Sequence, residues 1–247
     1  MSWSRSRWPS SHYRSVAVPK LKQLVAYTRR ILQAGICTGD EMERIVGKWT
    51  WAILVRRPAL SVFNAVYRFI QVAGSKLFTL WPSVERELHI IMRLAPILFA
   101  SLSSPWLDRI VASDASETGF GVVATPVSEV DVLSTLEDSN RIAQENTWST
   151  IISSRWKYEE HINVLELRAV STAIRWILSR RLSLQSRVIF FCDSQVVVGA
   201  VSKGRSSSHQ ILRRLRTLSA MVLASGLRLV MKWIPSSANP ADEPSRR

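Results

Sequence analysis

The stretch VIFFC, Val188 to Cys192, followed at once by Asp193, constrains the fold more than any other in the chain. Five apolar residues in a row leave no polar face, so a strand here must be covered on both sides. Helices are the usual cover for such a strand, and the chain is therefore α/β. The run then ends on a carboxylate. Taken alone, Asp193 reads as a cap for the next helix, SQVVVGAV.

The neighbouring segments extend this reading. RIVASDASETGFGVVAT predicts a strand, a glycine-containing turn and a second strand, and TWSTIIS a third. INVLELRAVSTAIRWILSR has the spacing of an amphipathic helix. SQVVVGAVSKG and SHQILRRLRTLSAMVLASG predict two more helices, and LRLVMKWIP the last strand. The order β-β-β-α-β-α-α-β implies a hairpin-built start and later crossovers. PVSEVDVLSTLEDSNRIAQEN reads as an acidic, irregular insert.

Residues 16–107 read as mostly helical. One helix begins at Pro19 and stops at Gly35; a second opens at Thr38 with Asp40, Glu41 and Glu43 in its first turns. A third runs from Pro58 to Gly74, and a fourth covers about 83–100. SLSSPWLD, 101–108, has the composition of a linker. Residues 1–15 form a basic, Ser-rich arm in which Trp3, Arg5, Arg7 and Trp8 can stack on bases.

Charge narrows the partners. The 247 residues carry 33 Lys+Arg against 19 Asp+Glu, a formal +14, and +10 of it falls within residues 1–110. Such an excess suits a polyanion, most often nucleic acid or an anionic membrane surface. Two cysteines, Cys37 and Cys192, give neither a disulfide framework nor a metal knuckle, which fits a reducing, intracellular compartment, cytoplasm or nucleus. Cys192 reads as a small core residue. No apolar run is long enough to span a membrane, and the N-terminus lacks the apolar stretch of a secretory signal.

Four acids stand at the ends or starts of separate elements. Asp114 ends the first strand and Asp193 ends the central one; if those strands are parallel neighbours, their carboxyl ends share the edge where open α/β sheets bind ligands. Glu166 lies early in its helix beside the apolar stripe, where a carboxylate without a partner is costly. Asp242 follows the last strand. Each also has a plain structural role as a cap, a turn or a dipole partner. Converging carboxylates stay ionised only if cations hold them. Oxygen ligands without His point to Mg²⁺, with Mn²⁺ as the alternative, and two such ions can drive phosphodiester cleavage.

SDASETGFGVV, HINVLELRAV, FFCDSQVVV and WIPSSANPADEPSR together resemble, in order, the motifs of ribonuclease H domains of retroelement reverse transcriptases. The resemblance covers about 108–247 and looks most like the DIRS-type and related group. It implies a ribonuclease H-like mixed five-stranded sheet flanked by helices, preceded by the mostly helical N-terminal region. It implies Asp114, Glu166, Asp193 and Asp242 as catalytic metal ligands, and cleavage of the RNA strand of an RNA–DNA hybrid. ERIVGKWTWAILVRRPALSVFNAVYRFI resembles the thumb or connection that precedes such domains, with Trp49 and Trp51 readable as plain core. The Tyr-x-Asp-Asp motif of the polymerase palm is absent, so the polymerase part of the same polyprotein is an expected partner. The loop before Asp242 lacks the His of many members, and five residues follow Asp242, leaving little of the helix that usually supports it.

Expected contacts to the hybrid are Ser116, Glu117 and Thr118 near the scissile phosphate, Asn163 at a ribose or base edge, and Lys203, Arg205, Arg213, Arg214 and Arg216 on phosphates. The alternative is a catalytically inactive ribonuclease H-like module that binds nucleic acid or acts as a scaffold. An integrase or transposase fits less well, since its Glu comes last and here the Glu comes second.

Overall fold

The computed structural model describes residues 13–15, 17–128, 130–157, 159–180 and 183–247. Residues 1–12 of the basic arm lie outside them. The chain divides into two compact units, Met1–Ser103 and Ser104–Arg247.

In the first unit β1 (Tyr13–Ser15) precedes α1 (Val18–Ala34), which ends at Gly35 in the left-handed conformation that glycine adopts without strain. After β2 (Ile36–Cys37) comes α2 (Gly39–Ile53). Its start is a capping box: Thr38 Oγ1 accepts from the Glu41 amide and the Glu41 carboxylate accepts from the Thr38 amide, 3.1 Å each. Trp49 of α2 is fully buried and donates to Thr28 Oγ1 of α1 at 2.9 Å.

The expected helix from Pro58 to Gly74 is not continuous. A 3-10 helix spans Leu54–Val62, Phe63 is extended, and α3 covers only Ala65–Ala73. The reason is remote in sequence. Glu87 of α4 (Pro82–Leu94) accepts from the amides of Asn64, Ala65 and Val66 at 2.9–3.1 Å, so a buried carboxylate starts α3 there. Nor does α4 reach residue 100. Pro96 follows in a short 3-10 turn, Ala95–Ile97, and β4 (Phe99–Ser101) then pairs antiparallel with β1. Thus 13–15, expected in the arm, and 101, expected in the linker, are strand residues. β3 (Phe78–Thr79) pairs with β2.

In the second unit Ser104–Leu107 run beside Arg187, with Leu107 N–H to Arg187 O and Arg187 N–H to Pro105 O both at 2.8 Å. The elements are β5 (Arg109–Ala115), β6 (Gly119–Pro126), α5 (Val132–Glu137), α6 (Ser139–Glu145), β7 (Ser149–Arg155), α7 (Ile162–Leu178), β8 (Arg187–Cys192), α8 (Gln195–Lys203), α9 (His209–Ser225), β9 (Arg228–Trp233) and α10 (Asp242–Ser245). The sheet order is β7-β6-β5-β8-β9, with β5, β6 and β7 antiparallel and β5, β8 and β9 parallel. This is the ribonuclease H-like mixed five-stranded sheet flanked by helices.

The central strand is covered on both faces, as its apolar run requires. Val188, Phe190 and Cys192 join the layer under α7, α8 and α9, with Leu165, Val170, Ile174, Val197 and Leu215. Ile189 and Phe191 join the opposite layer with Ile110, Ala112, Val132, Ile142 and Ala143. The last three come from the segment 126–146, which is not irregular: α5 and α6 lay these small apolar residues on the sheet. Asp138 caps α6, accepting from the Arg141 amide at 3.1 Å. A few apolar positions among many acids are too weak a pattern to read locally. Among the described residues, no helix is long and apolar enough to cross a membrane.

Candidate active site

Strand register brings the first two acids together. β5 and β8 pair in parallel with Val111 opposite Phe190 and Ala112 opposite Phe191. Two residues further, the same register sets Asp114 opposite Asp193 at the carboxyl edge of the sheet. Asp193 does not cap α8. Ser194 does, accepting from the Val197 amide at 3.4 Å. Freed from capping, Asp193 has a buried Oδ1 with no hydrogen-bond partner among the described residues.

Glu166 comes from the second turn of α7 and is 7 % exposed. Its Oε2 is also buried without a partner. Glu166, Cys192 and Asp193 each offer a ligand atom, and these atoms lie within 4.8 Å of one another. Burial, then the charges of Asp114 and Asp193, push the Glu166 carboxyl up to about 9. Asp114 is 5 % exposed. Burial raises it to about 6; a hydrogen bond from Ser245 opposes the rise, and the charges of Asp193 and Asp242 add to it. The Cys192 thiol is likewise raised, first by burial and then by Glu166, so it remains protonated core beside the acids.

The C-terminal motif N-P-A-D-x-x-S-R folds back over Asp114. Ser245 Oγ donates to Asp114 Oδ2 at 2.5 Å, and Asn239 Nδ2 reaches Asp114 Oδ1 at 3.5 Å and Ser113 O at 3.4 Å. Asn239 Oδ1 accepts from the Ala241 amide at 3.1 Å, which shapes the turn. The close approach needs Gly121 on β6. A Cβ there would stand 2.6 Å from Ala241 O and 2.9 Å from Ser245 N. Asp242 lies near enough for its charge to act on Asp114, but its own carboxylate pairs with Arg246, at 2.7 Å to Nη2.

Of the expected acids, then, Asp114, Glu166 and Asp193 converge, and Asp242 stands beside them held by Arg246. Asn239 and Ser245 were not anticipated as site residues. Their signal was present in the motif spacing, but a serine or asparagine near a chain end is too common to single out.

The expected nucleic-acid contacts are less uniform. Ser116 Oγ is spent inside the hairpin, donating to Ser245 O at 2.8 Å and accepting from the Gly119 amide at 3.0 Å. Glu117 and Thr118 are exposed at the tip of the hairpin. Asn163 is half-buried in the first turn of α7, its amide donating to His161 Nδ1 at 3.2 Å. Arg214 is not a free cation: it pairs with Glu160 at 2.9 Å, and Arg168 pairs with the same carboxylate. Arg213 is exposed and lines a cavity of about 300 Å³ with Glu159, Glu160, His161 and Arg214. Lys203 and Arg205 are exposed at the end of α8, and Arg216 is exposed on α9.

No family model matches the chain, and no curated protein does. Solved structures do. A ribonuclease H1 isolated from compost by a metagenomic approach is 19 % identical over 56 % of this chain and 91 % of its own, with a TM-score of 0.40. It has also been solved in complex with an RNA/DNA hybrid. Ribonuclease H1 from the archaeon Halobacterium salinarum is 17 % identical over 55 % of this chain and 96 % of its own, with a TM-score of 0.35. A foamy viral protease–reverse transcriptase in complex with an RNA/DNA hybrid overlaps 94 % of this chain and 50 % of its own at 9 % identity, with a TM-score of 0.29.

Proposed function

We propose that the sheet unit is a ribonuclease H that cleaves the RNA strand of RNA–DNA hybrids by a two-metal mechanism, as the C-terminal part of a retroelement reverse transcriptase of the DIRS-type or a related group. The observation that carries this reading is the pair of buried carboxylate oxygens, Glu166 Oε2 and Asp193 Oδ1, that no group among the described residues satisfies. A buried polar atom left without a partner is costly, so two of them on acids that also repel Asp114 call for a ligand. Protons relieve part of the repulsion, as the raised Glu166 and Asp114 carboxyls show, and a bound cation relieves it with the acids ionised. The donor set fits a hard divalent ion, and Asp114, Glu166, Asp193 and Asp242 would hold it. Bound Mg²⁺ or Mn²⁺ would lower the pKa of a water for attack and stabilise the leaving oxygen.

The remaining residues prepare the site. Asn239 and Ser245 fix the direction of the Asp114 carboxylate. Asp242 has to leave Arg246, a cheap exchange because that pair is surface-exposed. Glu117 and Thr118 border the edge from the hairpin tip. Lys203, Arg205, Arg213 and Arg216 would take phosphates. The wide minor groove of the hybrid presents 2′-hydroxyls, by which the RNA strand is told from the DNA strand.

The test is a hybrid with end-labelled RNA, incubated with the full chain in Mg²⁺ and in Mn²⁺. Cleavage of the RNA strand alone, lost in Asp193→Asn, is expected. An intact hybrid under both metals rejects the reading. The Asp242–Arg246 pair favours one alternative, an inert module that grips nucleic acid: it predicts hybrid binding without cleavage, unchanged by Asp193→Asn.

A further inference from the structure

The pair Trp49 and Trp51, readable from sequence as plain core, is split by the structure. Trp49 is buried, whereas Trp51 is 57 % exposed. Trp51 stands at a groove of about 780 Å³ between α1 and α2, lined also by Lys20, Gln23, Tyr27, Arg30 and Lys48. No acid lines it. The Lys20 ammonium lies 5.9 Å from the Trp51 ring centre and that of Lys48 5.5 Å from the Tyr27 ring centre. Each ring therefore has a cation beside it. Helical spacing produces this: Lys20, Tyr27 and Arg30 recur along one stripe of α1, and Lys48 and Trp51 are neighbours on α2.

We propose that this groove binds single-stranded nucleic acid, with bases stacked on Trp51 and Tyr27 and phosphates on Lys20, Arg30 and Lys48. Three cations and no acid call for a polyanion. Two rings at the same place call for aromatic partners, which every nucleotide carries and a chain of Asp and Glu lacks. In a duplex each base face is covered by its neighbour, so only unpaired bases can stack on a side chain. The site lies within the helical unit and does not depend on cleavage by the sheet unit.

The experiment uses the full chain carrying Asp193→Asn, without divalent cations, and a fluorescein-labelled oligothymidylate of about twelve nucleotides, a length within single-strand site sizes. Anisotropy is read across a salt series. Trp51→Ala weakens binding about tenfold, while Trp51→Phe retains most of it. Lys20→Ala/Lys48→Ala lowers the slope of log K against log salt by about 1.4, roughly 0.7 for each phosphate contact. Lys76→Ala/Arg86→Ala, two exposed cations of the same unit outside the groove, leaves the slope near its starting value. The charge variants still read the groove if Trp51→Ala melts early by circular dichroism. The proposal is overturned if the parent shows no binding, if folded Trp51→Ala binds like the parent, or if the two double variants lose equal slope. Equal competition by polyglutamate would assign the groove to acidic polypeptides instead, and stronger competition by an equally long hybrid duplex would assign it to duplexes.

Discussion

Glu87 in the helical unit and Glu166 in the sheet unit are equally buried, 7 % exposed each, yet their carboxylates are used in opposite ways. Glu87 accepts from three backbone amides and starts α3. Glu166 keeps a buried oxygen without a partner and sits among other acids. Burial of an acid therefore does not mark a site; an unsatisfied buried acid does, because the fold gains nothing from it unless something else arrives.

The largest effect expected from this contrast is on chemistry. Glu166→Gln removes cleavage of the hybrid by more than about a hundredfold, since even the partners of metal ligands cost 10–100-fold. Gel assay of labelled RNA reads it, and retained cleavage would break the contrast. Next comes stability. Glu87→Leu leaves three amides without their acceptor and destabilises the helical unit by about 3 kcal/mol in urea unfolding, whereas Glu166→Gln in metal-free protein does not destabilise the sheet unit.

Proton linkage sharpens the comparison. Glu166 is raised from 4.5 to about 9 and Asp114 from 3.8 to about 6, so the folded state binds more protons than the unfolded chain between those limits. Their contribution is fully present below the unfolded values and is lost as pH rises through the folded ones. The thermal midpoint of metal-free protein should fall between about pH 5 and about pH 9, and Glu166→Gln should flatten the fall. Added Mg²⁺ should restore the midpoint at the alkaline end.

A smaller effect is expected at Ser245. Ser245→Ala removes the donor to Asp114 and lowers cleavage about tenfold with hybrid affinity unchanged; equal rates would show that the contact is merely structural. Smallest of all is Arg246→Ala, which breaks an exposed ion pair and leaves the thermal midpoint of the sheet unit where it was.

Much of the sheet unit was legible because its signals are local. The apolar run at 188–192, the glycine turn of the hairpin and the amphipathic helix at 162–178 each declare themselves within a window of about ten to twenty residues. The order of Asp114, Glu166, Asp193 and Asp242 was readable for the same reason. The helical unit was legible in its first two helices, where Gly35 and Thr38 punctuate the chain. The reading failed there at α3, whose start is set by Glu87 more than twenty residues away, and in the sheet unit at α5 and α6, whose burial depends on the sheet they cover.

Sequence by itself determined the alternation of apolar and polar positions, hence the strands and long helices of the sheet unit, their order and which acids stand at their ends. Tertiary structure alone decided which acids are satisfied. It gave Glu87 its amides, assigned the cap of α8 to Ser194 so that Asp193 stayed free, brought Ser245 and Asn239 onto Asp114, and put Trp49 inside while leaving Trp51 out. Hydrogen-bond satisfaction is a property of neighbours in space, and neither periodicity nor composition carries that information.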